Sequence, residues 1–419
     1  MIDRRVLLAG GMAATLPLTT RAEGLAHPVA DDDAFWAKVA GDYDAPQGVI
    51  QLENGNWGPM ARPVRAAYDQ AVARVNRDTS YYARRGMLAD LVAARTAVAG
   101  ELGVPPDEIA FTRNATEALK ALILGYNRLS AGDAVLYADL DYDSMQACME
   151  SLARRRGVRV RRIALPEPAT RASLIDAYAQ VMADEPRLKL ILLTHLSHRT
   201  GLVVPVREIA AMARARGIDV IVDAAHSWQQ LDFALPDLDC DFVGLNGHKW
   251  LGAPLGLGIL HIRKKALARI DRDPAEAAGG PDTVMARVHT GTLDYAAWLT
   301  APAALAFQQR IDRAARAARL RALRDRWVGQ ARVISGLEVL TPDDPAMHGA
   351  ITSFRLQGVT SVEANAAIAR QLLDRHRIFT VHRTGVAKGA CVRVTPFLST
   401  SMADIDRLIV ALRDIAGGF

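Results

Sequence analysis

Short apolar runs alternate with longer amphipathic segments through the middle of the chain. Continuous apolar runs bounded by turn-forming residues are typical of strands that are buried on both faces. Such strands are predicted at 109–111, 134–138, 158–164, 190–194, 220–222, 242–243 and 259–262. Helices are predicted from Asn114 to Leu124, from about Ser144, and from Pro205 to Gly217. This alternation predicts an α/β fold with a mostly parallel central sheet and helices on both faces.

The pattern changes near Thr300, where a long helix rich in Ala, Arg and Leu is predicted to run to about Ile334. Strand signals at 351–356, 379–381 and 391–394 and two further helices follow it. We therefore expect a large α/β domain at 46–299 and a smaller C-terminal α+β domain at 300–419, with the segment 24–45 packing on the smaller one.

The N-terminus has the pattern of an export signal over residues 1–22. Arg4 and Arg5 precede a short apolar stretch, and Thr20-Arg21-Ala22 ends it with a small-residue cleavage pattern. Paired arginines in this position are typical of the twin-arginine pathway, which carries folded proteins. The apolar stretch is too short for a membrane anchor. The sequence thus predicts a periplasmic protein with the twin-arginine translocase as a partner during export.

Composition excludes several other classes of protein. The chain is 50% hydrophobic and its net charge of +5 is modest for 419 residues, which favours an ordinary globular protein. Arginines cluster at 154–162 and 310–326, but without interleaved aromatic residues, so we expect a solvated strand edge and a polar helix face rather than a nucleic-acid site. The spacing of the three cysteines fits no metal motif, and buried free thiols are expected.

Polar side chains follow five of the predicted strands. In an open α/β sheet, ligands bind beyond the carboxyl ends of the strands, so these side chains are expected to converge on one crevice. They are Thr112, Asn114 and Thr116; Asp141 and Tyr142; His195, Ser197 and His198; Asp223 and His226; and Asn246, His248 and Lys249.

Three members of this group together indicate a ligand. Asn114-Ala115-Thr116 opens a helix, whose free N–H groups favour an anion, although a simple N-cap is an alternative. Asp223 ends a buried strand and needs a cationic partner, which a protonated pyridine nitrogen or an ordinary salt bridge would supply. Lys249 lies in a Gly-flanked apolar loop, where partial burial makes it a nucleophile for a carbonyl. A phosphate site, a buried Asp and a lysine are the requirements of pyridoxal 5′-phosphate (PLP).

Three motifs carry a resemblance to a known family. Ser-His-Arg-Thr-Gly at 197–201, Asp-Ala-Ala-His at 223–226 and Gly-His-Lys-Trp at 247–250 resemble the class V aminotransferases. These are PLP-dependent enzymes of fold type I, and they include isopenicillin N epimerase-like proteins and cysteine desulfurases. The resemblance covers nearly all of the chain after residue 22.

The resemblance implies a role for each residue around the cofactor. Lys249 would form the Schiff base and move the proton at Cα, and Asp223 would hold the pyridinium proton. The other cofactor contacts implied are ring stacking by Tyr142, phosphate binding by Ala115 and Thr116 with Asn246 and His248 nearby, contacts of His198 and His226 on the side of the phenolic oxygen, and binding of the neighbouring subunit's phosphate by Thr292. A homodimer with shared active sites follows from the last of these.

The resemblance also implies substrate contacts. Arg393 matches the arginine that binds the substrate α-carboxylate, a task suited to a guanidinium. Asn56 is counted with the substrate-binding residues. Arg84 and Arg85 are candidates for a second carboxylate, with an exposed basic loop as the alternative.

The reaction stays open between transamination, epimerisation and elimination at the Cα of an amino acid or a peptide-borne amine. A PLP-dependent C–S lyase is an alternative, but desulfuration through a protein persulfide is disfavoured because no Cys occurs at 383–388, where desulfurases carry one. A distant alternative is a zinc hydrolase that uses His195, His198, His226 and Asp223. Tailoring of a periplasmic siderophore peptide, such as a pyoverdine precursor, is one hypothesis for the substrate.

Overall fold

The computed structural model describes residues 29–277 and 279–417. Its main element is a seven-stranded sheet. The strands are β2 (Ile109–Thr112), β3 (Ala134–Ala138), β4 (Arg159–Ile163), β5 (Leu188–Thr194), β6 (Asp219–Asp223), β7 (Phe242–Asn246) and β8 (Gly258–Ile262). Their order in the sheet is β2-β8-β7-β6-β5-β3-β4. All neighbouring strands are parallel except β8, which is antiparallel to both β2 and β7.

Both faces of this sheet are covered, as the apolar runs predict. Alternate side chains of β3 enter two different hydrophobic cores, with Leu136 in one and Val135 in the other. The helices are α1 (Asp33–Ala40), α2 (Arg62–Arg85), α3 (Met87–Leu102), α4 (Ala115–Gly125), α5 (Asp143–Arg156), α6 (Arg171–Asp184), α7 (Val206–Ala215), α8 (Leu235–Leu238), α9 (Tyr295–Leu299), α10 (Ala301–Gln308), α11 (Arg313–Ala331), α12 (Val362–His376) and α13 (Met402–Gly417). The sequence analysis makes no prediction for α2 and α3.

A smaller α+β unit follows, as expected. Its antiparallel sheet has the order β12-β13-β10-β9, and a parallel pair β1-β11 lies beside it. The strands are β1 (Ile50–Gln51), β9 (Leu337–Val339), β10 (Thr352–Leu356), β11 (Ile378–Phe379), β12 (Val381–Arg383) and β13 (Cys391–Val394). Ile50 and Leu52 belong to the core of this unit, although they fall inside the predicted large domain. The segment before β1 also contacts the small unit, since Arg319 Nη1 donates to the Ala30 carbonyl at 2.9 Å.

The predicted long helix of the small unit is wrong in two respects. It is interrupted between α10 and α11, where the side chain of Asp312 accepts a hydrogen bond from the Ala315 amide and starts a new helix. Its arginine cluster is also not the solvated helix face that was expected, because the side chains of Arg316, Arg319 and Arg324 are buried. The Arg-rich edge strand β4, in contrast, is largely exposed, as predicted.

Two further expectations concern the ends and the thiols of the chain. The predicted export signal at 1–22 lies outside the described residues. Among the residues that are described, no helix is long and apolar enough to cross a membrane. Cys148, Cys240 and Cys391 are free thiols, and the last two are buried.

Candidate active site

A cavity of about 580 Å³ lies at the carboxyl ends of the central strands. The last residues of three adjacent parallel strands, Thr194 of β5, Asp223 of β6 and Asn246 of β7, all line it. The structure therefore brings together most of the predicted site, namely Asn56, Ala115, Thr116, Tyr142, His198, Asp223, His226, Asn246, His248, Lys249, Thr292 and Arg393.

Lys249 lies in the loop after β7 and reaches back into the cavity. A hydrogen bond of 2.7 Å joins its Nζ to Nε2 of His226. Burial and the nearby Arg393 guanidinium lower the pKa of Lys249 to about 7, although the negative charge of Asp223 opposes this shift. Burial also holds the pKa of His226 well below its usual range, so this imidazole is neutral. A substantial part of the Lys249 population is thus an uncharged amine at neutral pH, the form that attacks a carbonyl.

Asp223 is a buried carboxyl group without an ion pair. Its Oδ1 accepts a hydrogen bond of 2.9 Å from the Ala225 amide, which fixes its orientation. Burial raises its pKa, and the only charge that opposes this rise appreciably is that of Lys249. Within the described ranges, no side chain forms a salt bridge to Asp223. Burying its carboxylate therefore costs free energy, and a cationic ligand atom next to it would offset that cost.

Helix α4 presents its N-terminus to the cavity. Asn114 caps it by accepting from the Glu117 amide at 2.8 Å. The amide of Ala115 donates to Oδ1 of Asn246 at 2.7 Å. Asn246 thus reaches across from β7 to the start of α4, and the phosphate contact of Ala115 stays a prediction. Thr116 and the positive end of the helix dipole remain to bind an anion.

Three ring-bearing side chains line one side of the cavity. Tyr142 is 38% exposed, and its ring meets that of His198 edge to face at 5.2 Å. The rings of His198 and His226 are nearly parallel, with centroids 6.4 Å apart. Nδ1 of His226 and Oγ1 of Thr194 are buried without a hydrogen-bond partner in the described chain. Thr194 and His226 both line the cavity, so their side chains lie next to a space that can hold a polar ligand.

Two charged residues of the cavity region, Glu53 and Arg383, are not predicted from the sequence. Arg393 Nη2 donates to both carboxylate oxygens of Glu53, at 2.5 and 2.6 Å, and Arg383 is 3.4 Å from the same carboxylate. The sequence feature related to this pair is the glycine at position 55, because a Cβ there would lie 2.6 Å from Arg393 Nη2. The segment around Gly55 must therefore pass close to Arg393, although nothing in the sequence shows that Glu53 would pair with it.

Two predicted contacts are not found in this cavity. Arg84 and Arg85 lie in the last turn of α2 with exposed side chains, and neither lines the cavity. His195 is buried against Phe233, with ring centroids 4.9 Å apart, because it points to the opposite face of β5 from Thr194. Across residues 29–277 and 279–417, no group of three or more metal-ligating side chains is placed to hold an ion.

A model of the family described as aminotransferase class-V matches residues 62–408. The chain belongs to this family. It is 32% identical over 403 residues to isopenicillin N epimerase of Streptomyces clavuligerus, covering 92% of this chain and 99% of that one. The fold is similar to a cysteine desulfurase of Thermococcus onnurineus (TM-score 0.76, 20% identity, 91% and 98% of the two chains). It is similar too to a mutant of the cystine C–S lyase C-DES with glycine covalently linked to its PLP (TM-score 0.76, 23% identity, 88% and 97%).

As a class-V protein, the chain has the fold-type I architecture that the sequence predicts, and its cofactor is PLP. The residues present fit that group. A lysine that is partly uncharged, a carboxyl group without a cation and a helix N-terminus line one cavity, which are the partners for an aldehyde, a pyridine nitrogen and a phosphate. Thr292 lies exposed on the rim of the cavity of its own chain, and its contact with a partner's phosphate stays a prediction.

No cysteine in the described part of this class-V chain lines the cavity. Cys391 is buried in β13, and burial raises the pKa of its thiol to about 11. A thiol that is protonated and inaccessible cannot attack a substrate sulfur.

Proposed function

We propose that this protein uses PLP to change the bonds at the Cα of an amino acid or of a peptide-borne amino group, in an isopenicillin N epimerase-like or aminotransferase-like reaction. The observation that carries the proposal is the 2.7 Å contact between Lys249 Nζ and the neutral His226 inside the cavity. This contact supports the proposal that Lys249 offers an unprotonated amine near the place where bound PLP would present the Cα of a substrate. The likeness to isopenicillin N epimerase over nearly the whole of both chains favours the epimerase-like reaction.

Each residue has a proposed task. PLP withdraws electrons from Cα when it is bound. Lys249 would hold the cofactor and carry the proton that leaves or returns to Cα, while Asp223 would keep the pyridine nitrogen protonated. Thr116 and the N-terminus of α4 would bind the phosphate, and Tyr142 would cover the ring. His226 would hold the Lys249 amine in position and face the phenolic oxygen, with His198 beside it.

The experiment is Cα proton exchange in deuterated water. The holoenzyme is incubated with single L-amino acids and dipeptides, and deuterium at Cα is measured together with the ratio of the two configurations. An epimerase-like enzyme would introduce deuterium and invert the centre, whereas an aminotransferase would convert the cofactor to its amine form. The exchange should be lost in Lys249→Ala and kept in Lys264→Ala, an exposed lysine that does not line the cavity. Absence of exchange and of any cofactor absorption change with every compound would contradict the proposal.

A C–S lyase is the second candidate. C-DES shares the fold, and a putative L-cysteine desulfhydrase of rice is 27% identical over 367 residues, covering 82% of this chain and 75% of that one. Such a reaction eliminates a sulfur group from the substrate and needs no protein thiol. Formation of pyruvate from L-cystine or L-cysteine, at a rate that exceeds Cα exchange with other amino acids, would establish this function instead.

We further propose export through the twin-arginine pathway and a periplasmic substrate, with a siderophore peptide as the first compound class to examine. Arg4 and Arg5 before the apolar stretch support export. Replacing both by Lys should leave the precursor in the cytoplasm. Normal periplasmic yield from a strain that lacks the translocase would disprove the route. Mass spectrometry of periplasmic metabolites with and without the protein tests the substrate.

We also propose a homodimer. A groove of about 160 Å³ near α3 and the loop before Thr292 is lined by the exposed apolar side chains of Leu88, Val92 and Met285. Apolar side chains grouped in this way favour contact with another protein surface. The groove lies beside the loop that would complete the partner's phosphate site, so cofactor retention and association should be linked. Sedimentation of a fully active monomer would disprove this proposal.

A further inference from the structure

The turn that follows β6 carries a residue that contacts the cofactor lysine. Asp223 ends the strand and His226 lies three residues later, and both line the cavity. Residues 225–230 form turns, and the hydrogen bond from the Ser227 amide to the Ala224 carbonyl is long, at 3.3 Å. A turn with long internal hydrogen bonds depends on contacts from outside to fix the direction of its side chains.

Gln230, at the end of this turn, makes such contacts in two directions. It is 1% exposed, and its Nε2 donates to the His226 carbonyl at 2.6 Å. Its Oε1 accepts from the amides of Ala350 and Ile351, at 2.7 and 3.3 Å. These two residues directly precede β10 of the small unit. One amide side chain thus joins the backbone of a cavity residue to the backbone of the small unit.

Two glycines allow the backbones to come this close. A Cβ on Gly349 would lie 2.5 Å from Oε1 of Gln230, and a Cβ on Gly201 would clash with the Ile351 carbonyl. Glycine is the residue that permits such a close approach of backbone. The amide of Gln230 is therefore held at both ends, in a contact that has no room for an added side chain.

The imidazole of His226 affects the charge of the lysine beside it. Its Nε2 lies 2.7 Å from Lys249 Nζ, and a neutral imidazole accepts a hydrogen bond from an ammonium group. Such a bond favours the charged form of the lysine and opposes the lowering of its pKa by burial. The distance between the two nitrogens depends on how the backbone of His226 is held, and Gln230 holds the carbonyl of that residue.

We propose that Gln230 is a positioning residue, which anchors His226 to the small unit and so holds its imidazole against the Lys249 amine. It rests on the proposed function, in which Lys249 holds the cofactor. Gln230 does not line the cavity, so its effect on the amine would pass through His226. The small unit would thereby help to set the protonation of the lysine without touching it.

The test follows the pH dependence of PLP incorporation into apoenzyme, which reports the pKa of the Lys249 amine. The wild-type midpoint should lie near pH 7. Gln230→Met keeps the length of the side chain but removes its hydrogen bonds, so the ammonium group loses part of its acceptor and the midpoint should move about half a pH unit lower. His226→Ala should lower the midpoint by about one unit. The double variant should lower it no further than His226→Ala does.

Gly349→Ala tests the same link from the side of the small unit. Its methyl group would press on Oε1 of Gln230, and neither residue lines the cavity. The midpoint should therefore shift in the same direction as in Gln230→Met. Gly349→Ala takes the place of that variant if the Met protein does not fold.

Gln229→Met is the matched control. Gln229 is also buried, but its Nε2 donates to Glu101 and its Oε1 accepts from Arg316, so its amide holds α3 and α11 rather than His226. The melting temperature should fall in this variant, because buried hydrogen bonds are lost. Its midpoint should nevertheless stay at the wild-type value.

Three results would overturn the inference. They are an unchanged midpoint in Gln230→Met, an equal shift in Gln229→Met, and a double variant that lies well below His226→Ala. The second would show that the midpoint follows general stability, and the third that Gln230 acts by another route. If the wild-type apoenzyme incorporates no PLP at all, the proposed role of Lys249 fails and the inference fails with it, which is a distinguishable result because no midpoint exists.

Discussion

Buried or half-buried polar groups occur in two regions of this protein, and the two sets are satisfied to different degrees. On α11, Arg316 donates to the carbonyls of Gln308 and Ile311 and to Oε1 of Gln229 at 2.6 Å. Arg324 of the same helix contacts two threonine hydroxyls, the Pro342 carbonyl and Asp325. These side chains join helices and loops of one chain, and the protein itself supplies most of their acceptors.

At the cavity, polar groups are brought together but left incomplete. Among the described residues, Asp223 has no salt-bridge partner, Arg383 has one long contact to Glu53, and Nδ1 of His226 has no hydrogen-bond partner. Burying polar groups without partners costs stability, so such groups persist where a ligand supplies the missing partners. The arginines of α11 therefore stabilise the fold, whereas the polar groups of the cavity are expected to pair with a ligand. Mutations in the two regions should consequently have different effects.

The largest effect is expected at Lys249. Lys249→Ala removes the only amine that lines the described cavity, so borohydride reduction should no longer fix PLP to the protein, while the melting temperature changes little. Mass spectrometry of peptides from the reduced wild type should place the cofactor on Lys249. Attachment elsewhere in the wild type, or persistent attachment in the mutant, would refute the assignment.

Asp223→Ala should lower turnover about a hundredfold to a thousandfold and leave the fold intact. The carboxylate is the group that would keep the pyridine nitrogen protonated, and its buried site contributes no ion pair to stability. Turnover and the melting temperature are measured together. A variant with near wild-type turnover would remove Asp223 from the mechanism.

Arg316→Ala should show the opposite behaviour. It removes three hydrogen bonds in a buried site and leaves the Gln229 amide oxygen without this donor, so the free energy of unfolding should fall by about 3 kcal/mol while the dissociation constant of PLP is unchanged. Urea denaturation measures the first quantity. Arg313→Ala, on the same helix but with an ion pair to Asp232 at the surface, is the control and should change little. A loss of cofactor affinity without a loss of stability in Arg316→Ala would contradict the comparison.

The fold and the cofactor could be predicted from the sequence because both depend on local patterns. Apolar runs between turn residues fixed the strands of the large sheet, and the strand ends located Asp223 and Lys249. The buried arginines of α11 could not be predicted this way, because their acceptors come from distant parts of the chain, such as Ala30 for Arg319. Glu53 was missed for the same reason, since it reaches Arg393 across a sequence separation of 340 residues.

Thr292 tests whether the incomplete cavity is completed by a second chain. Thr292→Ala should weaken PLP binding about tenfold, since one hydrogen bond to a charged group would be lost. The exposed Thr96→Ala on α3 serves as the control. Mixing Thr292→Ala chains with Lys249→Ala chains shows which site Thr292 serves. If Thr292 acts on the partner's phosphate, mixed dimers contain one intact site, and this site should bind PLP with wild-type affinity. Failure to regain wild-type affinity despite proven subunit exchange would place Thr292 in its own chain's site or in none.

The smallest effect is expected from pH, and it should be confined to the cavity. Because the pKa of Lys249 is lowered to about 7, its amine loses its proton as the pH rises through that value, and only the neutral amine attacks the cofactor aldehyde. The rate of PLP incorporation into apoenzyme should therefore rise about tenfold from about pH 6 to about pH 8 and then level off. An ordinary lysine such as Nα-acetyl-lysine, measured with PLP under the same conditions, should continue to gain rate towards its own pKa near 10.4. The arginines of α11 remain charged over this range, so their network should contribute no matching change in stability. If the rate of PLP incorporation into the protein keeps rising with pH as it does for the free lysine, the cavity does not lower the pKa of Lys249.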